Sequence, residues 1–535
     1  GSPTREFQGR AEISVGGDDA VAVGIAMGSS LDAAGSVLGR LSLHHYRSDG
    51  FRRNTWLGRD DTNGRDETTA RGRLHWAAGE DWAIELAGLY ADLDDGYDAF
   101  SLDNGFTMLS DKPGKDAQRS IGVSLRAEYS GWDEVLLTSI TSAASSDIEF
   151  SFDADWGNAQ SWAPVTYDYV SLNDRKRRTL SQEFRFSTDA WLFGVYAMRL
   201  ADDLETLNEG DYYDPFYDFA DSLFDPLASR YDATNAAVFG QYDIDIGERT
   251  ALSVGLRGER RSTDYTDSAG LETGPSDSLW GGDLTLNHEH SPAVSSYVSL
   301  AKGYKAGGFN LGILPDELRE FGAESLLNLE AGIKSMLLEG RLRFNASVFF
   351  SRRQDQQVRT SVQLVPGDPA SFVFLTVNAE EGRTAGLEAD MRWIANDAWS
   401  FHASLGLLDT RFEDFPGRPD LEGRNQAHAP RFSLAFGGSY QHPGGLFARL
   451  DVSARDAFYF DVSHDQRSEP YELVNARVGY EADGWTLQVW ARNLFDENYA
   501  VRGFYFGNEP PDFPNTLYVR PGDPRQVGIT YEKRF

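Results

Sequence analysis

Apolar and polar residues alternate one by one along most of this chain. Near the C-terminus, Val527, Ile529, Tyr531 and the terminal Phe535 share one register. Gln526, Gly528, Thr530, Glu532 and Arg534 fill the other. A period of two predicts a β-strand with one apolar face. The pattern recurs. Leu74 and Trp76 oppose Arg71, Arg73 and His75. Val123, Leu125, Ala127 and Tyr129 oppose Ser124, Arg126 and Glu128. Leu342, Phe344, Ala346 and Val348 oppose Arg343, Asn345 and Ser347. Leu387, Ala389, Met391 and Trp393 oppose Glu388, Asp390 and Arg392. About twenty-two such segments are predicted, from 8–15 to 525–535, an even number as a closed meander requires. No long stretch carries a helical period.

The connections sharpen this. Short ones, such as Ala78–Asp81, Ser130–Asp133, Thr188–Ala190 and Leu337–Gly340, alternate with long ones at 48–63, 93–117, 148–176, 203–229, 305–325, 357–371 and 493–524. The first connection, Gly16–Ala20, is the outlier. An up-and-down meander sends alternate connections to opposite ends. The prediction is therefore an all-β, antiparallel transmembrane barrel over 8–535, with long loops at one mouth and short turns at the other. A soluble sheet ending in this last strand would expose an apolar edge; closure removes it. A propeller needs a repeat of about 40–50 residues, and none is visible.

Composition fits. Mean hydropathy is −0.45, and no window approaches the run of about 18 apolar residues that a membrane-crossing helix needs. The net charge of −33 argues against nucleic acid. The absence of cysteine excludes disulfides, thiol catalysis and cysteine-zinc sites. A barrel of about twenty-two strands encloses a lumen wide enough to need a plug.

Candidate chemistry lies in the long connections. Segment 203–229 holds eight carboxylates and no Lys or Arg. It reads as a ligand lid, with Tyr212, Tyr213, Phe216 and Tyr217 as stiff contacts and the carboxylates open to calcium. The plainer reading is a solvated acidic loop. Trp156 and Trp162 in 148–176, and Arg502 and Tyr505 in 493–524, either meet a ligand or belong to loop packing and an interfacial girdle. His428 and His464 are a weak signal for haem. No Ser-His nucleophile pair stands out, so no enzyme is expected.

Four stretches carry a resemblance. Asn493-Leu494-Phe495-Asp496-Glu497-Asn498-Tyr499 precedes the last strand. Lys302–Asn310 contains Tyr304, Gly307, Gly308, Phe309 and Asn310. Asn378–Glu388 contains Gly386 and Glu388. Pro521–Arg525 leads into the strand ending at Phe535. Together they resemble the barrel of TonB-dependent outer-membrane receptors. The resemblance implies a bacterial outer-membrane importer, embedded in lipid and lipopolysaccharide and energised through the TonB complex acting on a plug domain. It implies a bulky cargo, most often a ferric siderophore, with cobalamin, haem and glycans as others. It also implies that Phe535 is read by the barrel-assembly machinery. Gly1-Ser2 reads as a cloning remnant, and Pro3-Thr4-Arg5 within 1–7 resembles a plug-to-barrel junction. The plug is thus expected to be removed, separate or never present. A plugless passive pore is the alternative function.

Overall fold

A computed structural model describes residues 1–310, 314–365, 372–416 and 418–535. Twenty-three strands hydrogen-bond into one sheet. All but the two-residue strand Glu272–Thr273 form the wall, leaving twenty-two. The first strand, Gln8–Gly16, pairs antiparallel with the last, Gln526–Arg534, from Arg10↔Arg534 to Gly16↔Gly528. The sheet is closed and has no edge. At the seam the Gly9 N–H donates to the Phe535 carbonyl at 2.7 Å and the Phe535 N–H to the Gly9 carbonyl at 3.0 Å. A Cβ on Gly9 would lie 2.1 Å from the Phe535 ring, so only glycine admits the terminal aromatic there.

The apolar register faces outward. Val527, Ile529 and Tyr531 remain exposed, as do Ile13, Val15, Val23, Ile25, Val123, Leu125 and Val348. A row of rings borders the short-turn mouth: Trp82 lies 4.8 Å from Tyr129, Trp399 4.8 Å from Tyr440, and Trp485 6.3 Å from Tyr531. This is an apolar band with an aromatic belt at its lower edge. No helix is long and apolar enough to cross a membrane.

The inward register is polar, and several of its charges are paired along the strand. Residues i and i+2 share a face, which puts Arg257 2.7 Å from Glu259, Arg449 2.7 Å from Asp451 and Arg534 2.6 Å from Glu532. Arg126 pairs with Glu128 and Arg185 with Glu183 in the same way. Arg10 crosses the seam to Glu532 at 2.8 Å.

The predicted alternation of connections holds, but several predicted loops are partly strand. Segment 203–229 is the clearest correction. Trp191–Asp214 pairs with Phe219–Gly247 in unbroken register from Trp191↔Tyr242 to Asp214↔Phe219. Only 215–218 turn. Strand Thr166–Ser187 likewise runs into predicted loop 148–176, and Leu342–Gln363 into 357–371. Beyond the membrane both faces of a hairpin meet water. Alternation then fades, while the backbone ladder, which needs no apolar face, continues.

Candidate functional site

The buried apolar side chains cluster in the loops. Three clusters stand at the long-loop mouth. One joins Ala99, Phe100, Trp156 and Tyr518, with Phe504 and Phe506 against them. A second joins Trp162, Val165 and Tyr167, with Tyr212 and Phe513. The third joins Val358, Ala379, Phe412, Phe415, Leu421 and Val462.

The connection 493–525 ties the mouth together. Its base is locked by Asn493, in a left-handed conformation (φ 45°). The Asn493 amide donates to the carbonyls of Glu497 (2.9 Å) and Asp523 (3.1 Å), and its oxygen accepts from the Glu497 N–H (2.8 Å). The Asp496 carboxylate accepts from the Arg525 N–H at 2.7 Å. Tyr499 covers Gly522, where a Cβ would sit 2.1 Å from the ring, and its ring lies 4.6 Å from that of Tyr471, tilted by 32°. Above this base the chain forms a hairpin, Ala500–Gly507 against Asn515–Pro521.

That hairpin reaches across the mouth. On one side Asn104 receives the Val519 N–H (2.6 Å) and donates to the Leu517 carbonyl (3.1 Å), while Phe504 meets Phe100 at 5.2 Å. Asn508 accepts from the Tyr167 hydroxyl at 2.9 Å and donates to the Asp155 carbonyl at 3.1 Å. On the other side Phe504 lies 5.7 Å from Phe374, and Tyr505 lies 5.8 Å from His464. The connection is therefore a bridge over the lumen.

Two buried carboxylates hold loop 154–165 beneath it. Asp155 accepts from Trp162 Nε1 (3.0 Å), the Tyr169 N–H (2.8 Å) and the Gly157 N–H (3.0 Å). Asp153 accepts from the Asp155 and Trp156 N–H groups. Burial lifts both acids above the usual carboxylate range. Nearby, buried Asp98 takes a hydrogen bond from the Asn54 amide at 2.9 Å, and burial raises its pKa too.

The bridge also carries guanidinium groups. Arg502 and Arg520 are direct cross-strand partners in its hairpin. Arg502 lies 4.8 Å over Phe504, Arg520 5.9 Å over Tyr97, and Arg359 5.5 Å over Phe374. Behind them buried Arg52 donates to the carbonyls of Gly105 and Pro521, both at 3.3 Å. Burial first, and Arg520 second, pushes the Arg52 pKa down to about 10. Arg502 is also lowered, by desolvation first and then by Arg359 and Arg520. Among the described residues none of these four arginines has a carboxylate within ion-pair distance.

The predicted contacts fall apart into two groups. Trp156, Trp162, Tyr212, Arg502 and Tyr505 belong to the mouth and its bridge. Phe216 and Tyr217 sit exposed at the tip of the 191–247 hairpin, and Tyr213 lies on the face opposite Tyr212. In that hairpin Asp203, Glu205, Glu209 and Asp211 share one face, and Asp214, Asp221 and Asp225 the other. Among the described residues no three His, Asp or Glu side chains group to hold a metal ion.

The motif residues are architectural. The Tyr304 hydroxyl donates to Glu259 (3.0 Å) and accepts from Arg257 Nε (3.1 Å) on the lumen wall. A Cβ on Gly307 would strike the Phe321 carbonyl at 2.5 Å, and one on Gly308 the Phe321 ring at 2.7 Å. Phe309 stacks 5.0 Å from Tyr265. Asn310 bonds both the N–H and the carbonyl of Thr376. Gly386 lies beneath Phe349, and Glu388 pairs with Ser347 in the ladder. The Leu494 N–H donates to Val474, and Phe495 is exposed. Sequence reasoning missed Arg52, Arg359, Asn104, Asn508 and the clamp of Asp153 and Asp155. The one available signal was arginine inside aromatic loops of an acidic chain.

Residues 26–494 match the family described as TonB dependent receptor-like, beta-barrel. The metal-pseudopaline receptor CntO of Pseudomonas aeruginosa is 22% identical over 253 residues, covering 45% of this chain and 32% of that receptor. The chain thus aligns with about a third of that relative's length. The ferric yersiniabactin uptake receptor FyuA from Yersinia pestis shares the fold with a TM-score of 0.82 at 20% identity, over 100% of this chain and 81% of that one. The siderophore receptor PiuA from Acinetobacter baumannii gives 0.77 at 14%, over 100% and 82%.

Proposed function

This chain belongs to the TonB-dependent receptor β-barrel family of the bacterial outer membrane, and from that premise we propose that it is the barrel of an importer for a ferric siderophore, energised through TonB with a plug domain in the lumen. The observation that carries the reading is the bridge 493–525. It stands over a lumen of twenty-two strands, which is wide enough to need a plug. A structure built across the mouth restricts free diffusion through so wide a lumen. A receptor needs one, because a bulky ligand is caught there before it passes. The cargo class is supported by the neighbours, which are named for a ferric chelate, a siderophore and a metal chelate.

The test is growth and radioiron uptake by a deletion strain under iron limitation. Loss of uptake of one ferric chelate, restored by the full gene, is expected. Unchanged iron uptake with loss of another nutrient overturns the cargo. A large steady conductance of the full-length protein in planar bilayers would overturn the plugged receptor.

A further inference from the structure

We propose that Arg502 and Arg520 on the bridge and Arg359 facing them form an anion-selecting face at the mouth, and that the cargo meeting it is a bulky chelate bearing several anionic oxygens. This rests on the import reading and adds to it a charge class and specificity-determining residues.

The first argument is the arrangement itself. Arg502 and Arg520 are direct cross-strand partners in a hairpin, a register where like charges repel. Arg359 approaches the same pair from across the mouth, through the Phe374–Phe504 contact. The chain has 83 acidic against 50 basic residues, so carboxylates are plentiful. On the inward-facing wall Arg257, Arg449, Arg126 and Arg534 each have one. These three have none among the described residues.

The nearby acids are committed elsewhere. Asp461, the carboxylate that faces Arg502, lies beyond ion-pair distance and accepts from the Ser463 N–H at 2.8 Å, and Asp98, near Arg52, is engaged by Asn54. The guanidinium planes instead lie over rings, within the range of cation–π attraction. A ring holds the plane of a guanidinium but leaves its N–H fork free. That fork matches paired oxygens of carboxylate, catecholate or phosphate. Arg359 and Arg502 are exposed and Arg520 half-buried, so a ligand can reach all three. The adjacent Phe504, Phe374 and Tyr97 supply faces for flat groups of the same ligand.

The experiment uses the full-length receptor, purified in detergent, and two ferric probes of similar size. One is a triply anionic tris-catecholate complex, the other a neutral tris-hydroxamate complex. Binding is read by quenching of tryptophan fluorescence. The wild type is expected to prefer the anionic probe by about tenfold or more, and added salt should erode the preference. The combined variant Arg359→Gln, Arg502→Gln and Arg520→Gln should lose the preference and keep its affinity for the neutral probe. The matching Arg→Lys variant should keep part of it. Heat-modifiable gel mobility checks that each barrel is folded. Equal binding of both probes by the wild type, or a preference that survives the glutamine variant, overturns the inference and leaves the import reading standing. Binding of neither probe, together with normal iron uptake by the deletion strain, overturns both.

Discussion

The lumen wall and the bridge across the mouth use the same residue types in opposite ways. On the wall, Arg257, Arg449 and Arg126 each meet a carboxylate two residues along the same strand. The pleat does this automatically: i and i+2 point the same way, so acid and base placed there neutralise each other. At the bridge acids and bases are segregated. Asp155 and Asp153 are buried as backbone and indole acceptors, and the arginines are left over aromatic faces. Where the wall is built of such pairs, its charges cancel locally. A rim with uncommitted cations can hold cargo.

The comparison can be broken at its strongest point first. Asp155→Ala strands three donors in a buried loop, at about 3 kcal/mol by the usual cost of unsatisfied groups. The 154–165 loop and the bridge should loosen while the barrel stays folded. Limited proteolysis would show new cuts at the mouth, and an unchanged pattern would mean the clamp is not what holds the bridge.

Next is the arginine contrast. The rim triple variant should cost about tenfold in affinity for an anionic chelate, or about 1.4 kcal/mol. The wall triple Arg10→Gln, Arg126→Gln and Arg449→Gln should leave that affinity unchanged. Equal losses would erase the distinction between the regions. Within the wall, Glu259→Gln weakens the contacts of Arg257, Tyr304 and Asn235. A stability loss of about 1–2 kcal/mol is expected in denaturant titrations, without an effect on binding.

The pH response separates the regions more gently. The pKa values of Asp153 and Asp155 are raised in the fold, so the folded loop favours their protonated forms. Its stability is greatest below the ordinary carboxylate range and falls as pH rises through their elevated values. Fluorescence of Trp156 and Trp162 should report loosening with rising pH, flattened in Asp153→Asn. The smallest effect is expected at the 191–247 hairpin tip. Phe216→Ser and Tyr217→Ser should change stability by no more than about 0.5 kcal/mol and leave chelate binding alone.

Much of the wall was legible residue by residue. Val527, Ile529 and Tyr531 announce their strand because lipid lies on one side of it and water on the other. The alternation of connection lengths then yields the meander. Legibility stops where that asymmetry stops. The outer parts of the hairpin, 203–214 and 219–229, read as loop because water bathes both faces there, and Tyr212 and Phe216 looked equivalent although one packs under the bridge and the other caps a tip. The motif 493–499 was legible as a signature, but its work, closing the base of the bridge through Asn493, Asp496 and Tyr499, was not.

By itself, then, the sequence determined the strand period, the barrel class and the seam at Phe535, because each is set by neighbours two residues apart or by the chain end. The tertiary structure decided the rest. Arg52, Arg359, Arg502 and Arg520 come from three distant connections, and Asn508 meets Tyr167 from the far end of the chain. Only closure of the barrel, which brings its last connection against Arg52, Asn104, Asp155, Tyr167, Phe374 and His464, places these groups together.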